Sequence, residues 1–172
     1  MAYAHRFVQG IEMFHKTLEE GEAGDQMGIL TKGVKKGDVR RGMVVGKPGL
    51  LKQCDVLEAQ VYLLTKEEGG LGQPMTNDKV LTVFSHTWDC SGYLALGGGK
   101  ELCMPGEDTS ISLKMMKPMV MEIGQNFTIR AGKATIGTGK VTKILPNMTP
   151  DEREFLTLSK KKKEKMAAAS AK

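Results

Sequence analysis

The stretch Val56–Lys66, "VLEAQVYLLTK", decides the fold class. Leu57, Ala59, Val61 and Leu63 recur at every second position, while Val56, Gln60 and Tyr62 face the other way. Successive side chains of a strand point to opposite faces, so this alternation predicts a strand with one face in a core. On either side the chain reads as short strands between turn signals. Upstream lie "GIEMFHKTL", with Ile11, Met13 and His15 on one face, a strand Met27–Thr31, a Lys36-Gly37-Asp38 corner, a strand Met43-Val44-Val45, and the stop Lys47-Pro48-Gly49. Downstream, "EEGGLGQPMTND" is a long turn, "KVLTVFSHTW" a strand, and "CSGYLAL" and "TSISLKMM" two more. A strand starting at Pro118 and a final β-hairpin over "NFTIRAGKATIGTGKVTKIL" complete the series. Short strands at this spacing predict an all-β protein built on a closed antiparallel β-barrel. Pro48-Gly49 is the expected boundary between residues 1–48 and a barrel over 49–146.

"IGTGK" at Ile136–Lys140 invites a second reading, as a loop cradling phosphate. Such a loop reads G-x-x-x-x-G-K-[ST], with the hydroxyl on the metal ion. Here Ala134 holds the first glycine position and Val141 follows the lysine. Gly97-Gly98-Gly99-Lys100 fails in the same way, with Leu94 and Glu101 at those places. Gly137 and Gly139 are therefore read as a strand bulge or a close approach of backbones.

The chain has 172 residues, enough for one domain or two small ones, and its 26% charged and 40% hydrophobic residues are ordinary for a globular protein. No apolar run reaches a membrane-spanning length, so no membrane partner is expected. The first ten residues, "MAYAHRFVQG", lack the apolar centre of a signal peptide. Cys54, Cys90 and Cys103 show no C-x-x-C spacing, and His5, His15 and His86 are scattered. That argues against a disulfide framework and against a zinc site, and it suggests a reducing compartment. No Ser/His/Asp or Cys/His constellation stands at a convincing spacing. Catalytic residues, metal ligands and cofactors are all expected to be absent.

The net charge is +5, unevenly placed. Residues 151–172 hold seven basic and four acidic residues, a net of +3, which leaves +2 for the other 150. Thr149, Pro150 and Glu152 form a T-x-x-E capping box with proline at the first helical position. A helix is expected from Pro150 to Lys165, thinly apolar at Phe155, Leu156 and Leu158, projecting from the barrel and fraying. Lys160, Lys161, Lys162 and Lys163 form a basic run, ordinarily a solvated helix end, that also suits non-specific contacts to RNA phosphates. Trp88 is expected in the core or at the barrel rim, and "MPGED" as a turn with polar caps.

At "VKKGDVRRGMVVGKPG", "EAQVYLLTKEEGG", "MPGED" and "FTIRAGKATIGTGKV" the sequence resembles elongation factor Tu. "HTWD" at His86–Asp89 and "KELCMPGED" at Lys100–Asp108 resemble its mitochondrial branch. The resemblance runs from about Gly10 to Leu145. It implies a truncated remnant of the middle β-barrel over 1–48, a complete C-terminal β-barrel over 49–146 and a basic helical tail over 147–172. The family's GTPase domain has no counterpart here, since the D-x-x-G and N-K-x-D motifs are missing along with the phosphate loop. The resemblance therefore implies a chain without GTPase activity.

In this family the third domain grips the T-stem of tRNA. Matched residue by residue, the resemblance implies tRNA contacts at Thr82, Ser91, Lys117 and Gly132, and at Lys32 in the middle domain. The family's usual Arg-His pair after "EEGG" is Leu71-Gly72 here, which removes positive charge from a phosphate-dominated interface. The implied partners are aminoacyl-tRNA or ribosomal RNA, and an elongation factor Ts-like or ribosomal protein. The implied location is mitochondrial, otherwise cytoplasmic. Two other functions fit the same barrel: a structural or interaction protein associated with the ribosome, and a piece of a full-length GTP-dependent elongation factor.

Overall fold

A computed structural model describes residues 6–77 and 79–157. The chain divides into two compact units, Met1–Pro48 and Gly49–Lys172. In the first, β1 (Val8–Met13), β2 (Lys16–Leu18) and β3 (Gly28–Thr31) form an antiparallel sheet in the order β2-β1-β3. Phe14 and His15 make the two-residue turn between β1 and β2, with φ of 49° and 63°. Left-handed turns of this kind match the right-handed twist of the flanking strands. His15 thus sits in the turn and not on the Ile11–Met13 face. Met43-Val44-Val45, expected as a strand, has no strand structure. The Met43 N–H instead closes a turn onto the Arg40 carbonyl at 3.2 Å. A β-branched run stays irregular where no neighbouring strand offers a ladder.

The second unit contains β4 (Gln53–Leu63), β5 (Met75–Thr76), β6 (Lys79–Ser85), β7 (Trp88–Leu96), β8 (Leu102–Cys103), β9 (Asp108–Val120), β10 (Asn126–Ala131), β11 (Ala134–Ile144) and α1 (Pro150–Thr157). Six of these strands close an antiparallel barrel in the order β10-β11-β4-β9-β7-β6, while β5 and β8 pair separately. Leu57, Ala59, Val61 and Leu63 all point into the core, where they meet Val83, Leu94, Ile111, Leu113, Ile129 and Val141. Trp88 is 4% exposed and belongs to the same cluster. Burial of these side chains is the main force holding the barrel together, at roughly 1.5–3 kcal/mol for each large one.

Two strand assignments change. "KVLTVFSHTW" is the strand β6, a turn, and the start of β7: Ser85 pairs with Trp88, and His86 turns the chain with φ of 48°. No strand begins at Pro118, because β9 runs through it. The β4–β9 register explains how it can. Val56 pairs with Lys114 and Cys54 with Met119, so Asp55 alone faces Met115–Pro118. A proline, which has no N–H to donate, is tolerated where the ladder is interrupted.

Gly137 and Gly139 act as both of the alternatives read from the sequence. The β10–β11 register slips beside Gly137, between its partner Ile129 and Arg130. A Cβ at Gly137 would lie 2.7 Å from the Tyr62 carbonyl oxygen, and one at Gly139 would lie 2.6 Å from the Phe127 ring.

The segment after β11 does not project from the barrel. It straps back along β4. The Leu145 N–H donates to the Val56 carbonyl at 3.0 Å. The Asn147 amide donates to the Gln53 carbonyl at 3.2 Å and accepts the Asp55 N–H at 3.3 Å. Asp55 is fully buried, accepts the Met148 N–H at 2.9 Å, and pairs with Arg153. At the far end of α1 the Tyr93 hydroxyl donates to the Leu156 carbonyl at 2.5 Å. The remainder of the expected helix, to Lys165, lies outside the described residues.

The capping box forms as the sequence implies: the Thr149 N–H donates to the Glu152 carboxylate at 2.9 Å, and the Glu152 N–H donates to the Thr149 hydroxyl at 3.3 Å. The bond from the Thr149 N–H holds the Glu152 carboxyl below the usual range. A depressed folded-state pKa means that the cap's contribution is complete above the ordinary glutamate range. It is lost as the pH falls through the folded value. Acidification through and below the ordinary glutamate range is therefore expected to lower the protection factors of the α1 amides, referred to the intrinsic exchange rate at each pH, before those of the barrel amides respond. Protection lost equally in both would show that the cap does not hold α1 on its own.

Candidate nucleic-acid interface

The outer face of the barrel carries the residues that do not fit inside. On β6 the outward positions alternate with Leu81 and Val83, and Thr82 is one of them. Thr82 pairs with Ser91 on β7 and with Arg130 on β10. Paired residues of adjacent strands project to the same side of a sheet. Ser91, Thr82 and Arg130 thus form one row across three strands, each half-buried.

Arg130 ties this row to the next turn. Its guanidinium lies 5.2 Å from the centre of the Phe84 ring and donates to the Lys133 carbonyl at 3.0 Å. Stacking on an aromatic face and donating to a turn carbonyl hold an arginine in one orientation. Lys133 belongs to the β10–β11 turn, where Gly132 is exposed with φ of 60°. The Arg130 Nε is buried without a hydrogen-bond partner. Arg130 is absent from the set of contacts that the sequence implies. Its signal lies in the alternation of Phe127 and Ile129, which point inward, with Thr128 and Arg130.

Lys117 is exposed and lies in the irregular stretch Met115–Pro118. The Cys90 thiol, one residue from Ser91, reaches its carbonyl at 3.8 Å. Burial pushes that thiol up from the ordinary cysteine value, so Cys90 serves as a small core residue. The backbone at Lys117 therefore borders β7 next to the Ser91 row. The structure brings together Thr82 and Ser91, with Gly132 joined to them through Arg130 and Lys117 on the adjoining strand. Lys32 belongs to the first unit, where its N–H donates to the Phe7 carbonyl at 3.0 Å. Lys160, Lys161, Lys162 and Lys163 lie outside the described residues.

These groups are suited to binding. Hydroxyls, exposed backbone at a glycine, a fixed guanidinium and an ammonium on a flexible stem suit phosphate and ribose oxygens, to which most protein–nucleic acid hydrogen bonds go. "MPGED" is a capped turn: the Met104 N–H donates to the Glu107 carboxylate at 3.0 Å, which lowers the Glu107 pKa. Among the described residues no three His, Cys, Asp or Glu side chains cluster as a metal site.

A family model described as the elongation factor Tu C-terminal domain matches residues 50–145, more than half of the chain and the whole of the closed barrel. A second, described as elongation factor Tu domain 2, matches residues 6–46, the stretch that holds the β2-β1-β3 sheet. With the barrel, its strand order and these two matches in sequence, the chain belongs to the elongation factor Tu family.

Proposed function

We propose that the chain works in mitochondrial translation as an RNA-binding barrel that takes aminoacyl-tRNA or ribosomal RNA by its phosphate backbone and performs no GTP chemistry of its own. The observation that carries this reading is the gathering of Ser91, Thr82, Arg130 and Gly132 on one side of the barrel, with Lys117 on the adjoining strand. "HTWD" and "KELCMPGED" support the mitochondrial assignment. The missing phosphate and guanine motifs support the absence of GTP chemistry, and a calorimetric titration with GTP tests it. Translation partners of the elongation factor Ts or ribosomal-protein type suit the same family membership.

Affinity in this reading is low and sensitive to salt. The first 150 residues carry only +2, and Leu71-Gly72 stands where the family places Arg-His. Residues 158–172 supply six lysines against one glutamate, so they dominate phosphate neutralisation. Deleting 158–172 keeps Arg153 on Asp55 and removes the lysine run. It is expected to weaken binding of aminoacyl-tRNA by about tenfold or more near 0.1 M salt and to flatten the salt dependence. Lys117→Ala should cost less, about the worth of a single phosphate contact. Anisotropy titrations at two salt concentrations rank the two. If Lys117→Ala abolishes binding and the truncation leaves it intact, the barrel alone holds the RNA.

A further inference from the structure

β9 is longer than its partner strand can match. Between the pairs Val56–Lys114 and Cys54–Met119, β4 has one residue, Asp55, and β9 has four, Met115 to Pro118. An ordinary bulge adds a single residue, so this excursion is a large one. Both of its ends are anchored: Met115 is fully buried and pairs with Gly92 of β7, and Met119 packs against the core. The extra length is taken up between them, by Met116, Lys117 and Pro118. Pro118 confines the Lys117 backbone to extended conformations, because a residue before proline is crowded out of the helical region. The Lys117 carbonyl lies 3.8 Å from the Cys90 thiol, next to Ser91. Bulges bend a strand and re-aim a side chain. The side chain re-aimed here is the exposed Lys117.

The β4 ladder is interrupted along this excursion, and α1 lies across it. In the barrel β9 runs between β4 and β7. α1 is pinned to both of those neighbours: Arg153 pairs with the buried Asp55 of β4, and the Leu156 carbonyl accepts the Tyr93 hydroxyl of β7. Asp55 faces Met115–Pro118 and Tyr93 pairs with Lys114, so a helix held at those two points crosses β9 where the excursion begins. α1 packs against β9 there, and Lys114 adds to the Thr149 hydrogen bonds in favouring the charged form of Glu152. The strap lies beyond residues 50–145, so this crossbar is an addition to the barrel that the family model matches. We infer that Asp55, Arg153 and Tyr93 are positioning residues for Lys117: by holding α1 across β9 they fix the excursion so that the Lys117 ammonium is presented beside Ser91 to an RNA phosphate. The inference rests on the RNA-binding reading and adds the residues that set one of its contacts.

The test is a double-mutant cycle in the full chain, with Arg153→Met and Tyr93→Phe, singly and together, on one side and Lys117→Ala on the other. The probe is aminoacyl-tRNA, titrated at about 0.1 M salt. NMR order parameters of the Met116 and Lys117 amides report whether the excursion is released, and the Trp88 near-ultraviolet signal reports whether the barrel is intact. Arg153→Met with Tyr93→Phe is expected to lower those order parameters, to leave the Trp88 signal unchanged, and to weaken binding about twofold to fivefold, no more than Lys117→Ala itself does. In the Lys117→Ala chain the same pair should weaken binding no further, because the contact it serves is already gone. An effect of α1 that bypasses Lys117 would appear equally in both chains, and equal weakening would overturn the inference. So would unchanged binding once the order parameters show the excursion released, and so would order parameters that stay at their original level. A full chain that binds no aminoacyl-tRNA at any salt would overturn the proposed function, and the positioning role with it. If Arg153→Met disturbs the Trp88 signal, Tyr93→Phe alone decides, because it removes one hydroxyl from a half-buried ring.

Discussion

Gly137→Ala is expected to destabilise the barrel by about 3 kcal/mol, roughly a hundredfold in the folding equilibrium. The cause is a local clash. Gly137 pairs with Leu63 on β4, and its neighbour Thr138 pairs with Tyr62. An added methyl would sit 2.7 Å from the Tyr62 carbonyl oxygen and 3.4 Å from side-chain carbons of Leu63 and Val61. The first contact is with backbone, which cannot rotate away as a side chain can. Relief requires β11 and β4 to move apart, and a closed barrel transmits that displacement around its circumference. Denaturant titration should show a lower midpoint with an unchanged slope. A loss below about 0.5 kcal/mol would mean that the strands have room to spare. Had the glycine served a phosphate, the substitution would instead have altered nucleotide affinity at little cost in stability.

Arg153→Met is expected to cost about 2–3 kcal/mol, somewhat less than the roughly 3–5 kcal/mol typical of breaking a buried ion pair, where the remaining charge is stranded. Asp55 is fully buried, but the Arg153 side chain is 39% exposed, so water already screens part of the pair. The residual carboxylate keeps the Met148 N–H as a donor. A double-mutant cycle with Asp55→Asn isolates the pair. The double variant should be less destabilised than the sum of the singles, since neither charge is then left alone. Additive effects would mean that the two residues stabilise the fold independently.

The parts of this fold legible in the sequence are those set by local alternation. Leu57, Ala59, Val61 and Leu63 disclosed both the strand and its buried face, and the turn chemistry of "MPGED" and of Thr149–Glu152 disclosed their own hydrogen bonds. The Pro48–Gly49 punctuation falls where the two compact units meet in the chain. What alternation cannot disclose is register between distant strands. Pro118 looked like a strand start because the slip opposite Asp55 is a property of the β4–β9 pair and not of either segment. His86 and His15 looked like strand residues because a left-handed turn without glycine carries little sequence signal. The same limit governed the candidate site. Thr82, Ser91, Lys117 and Gly132 came from family resemblance one at a time. Their grouping, and the part Arg130 plays in it, came only with the pairing of β6 to β7 and β10. The docking of Arg153 on Asp55, 98 residues away, was equally beyond a local reading.

The barrel's strand order also sets a timetable for synthesis. β4 is the first barrel strand to be made, yet its two neighbours are β9 and β11. β9 begins at Asp108 and β11 at Ala134, which are 45 and 71 residues beyond the end of β4 at Leu63. At roughly 5–20 residues per second, β4 waits about 4–14 seconds before its last neighbour even begins to be made. During that interval Leu57, Ala59, Val61 and Leu63 have no barrel to enter. The β6–β7 hairpin, joined by two residues, can form meanwhile, but it cannot cover β4, which it does not touch in the sheet. Pairings this distant in sequence also slow refolding of the finished chain, toward the millisecond-to-second range of barrels dominated by non-local contacts. A nascent chain of this design depends on whatever shields its first long strand until Ile144 has been added.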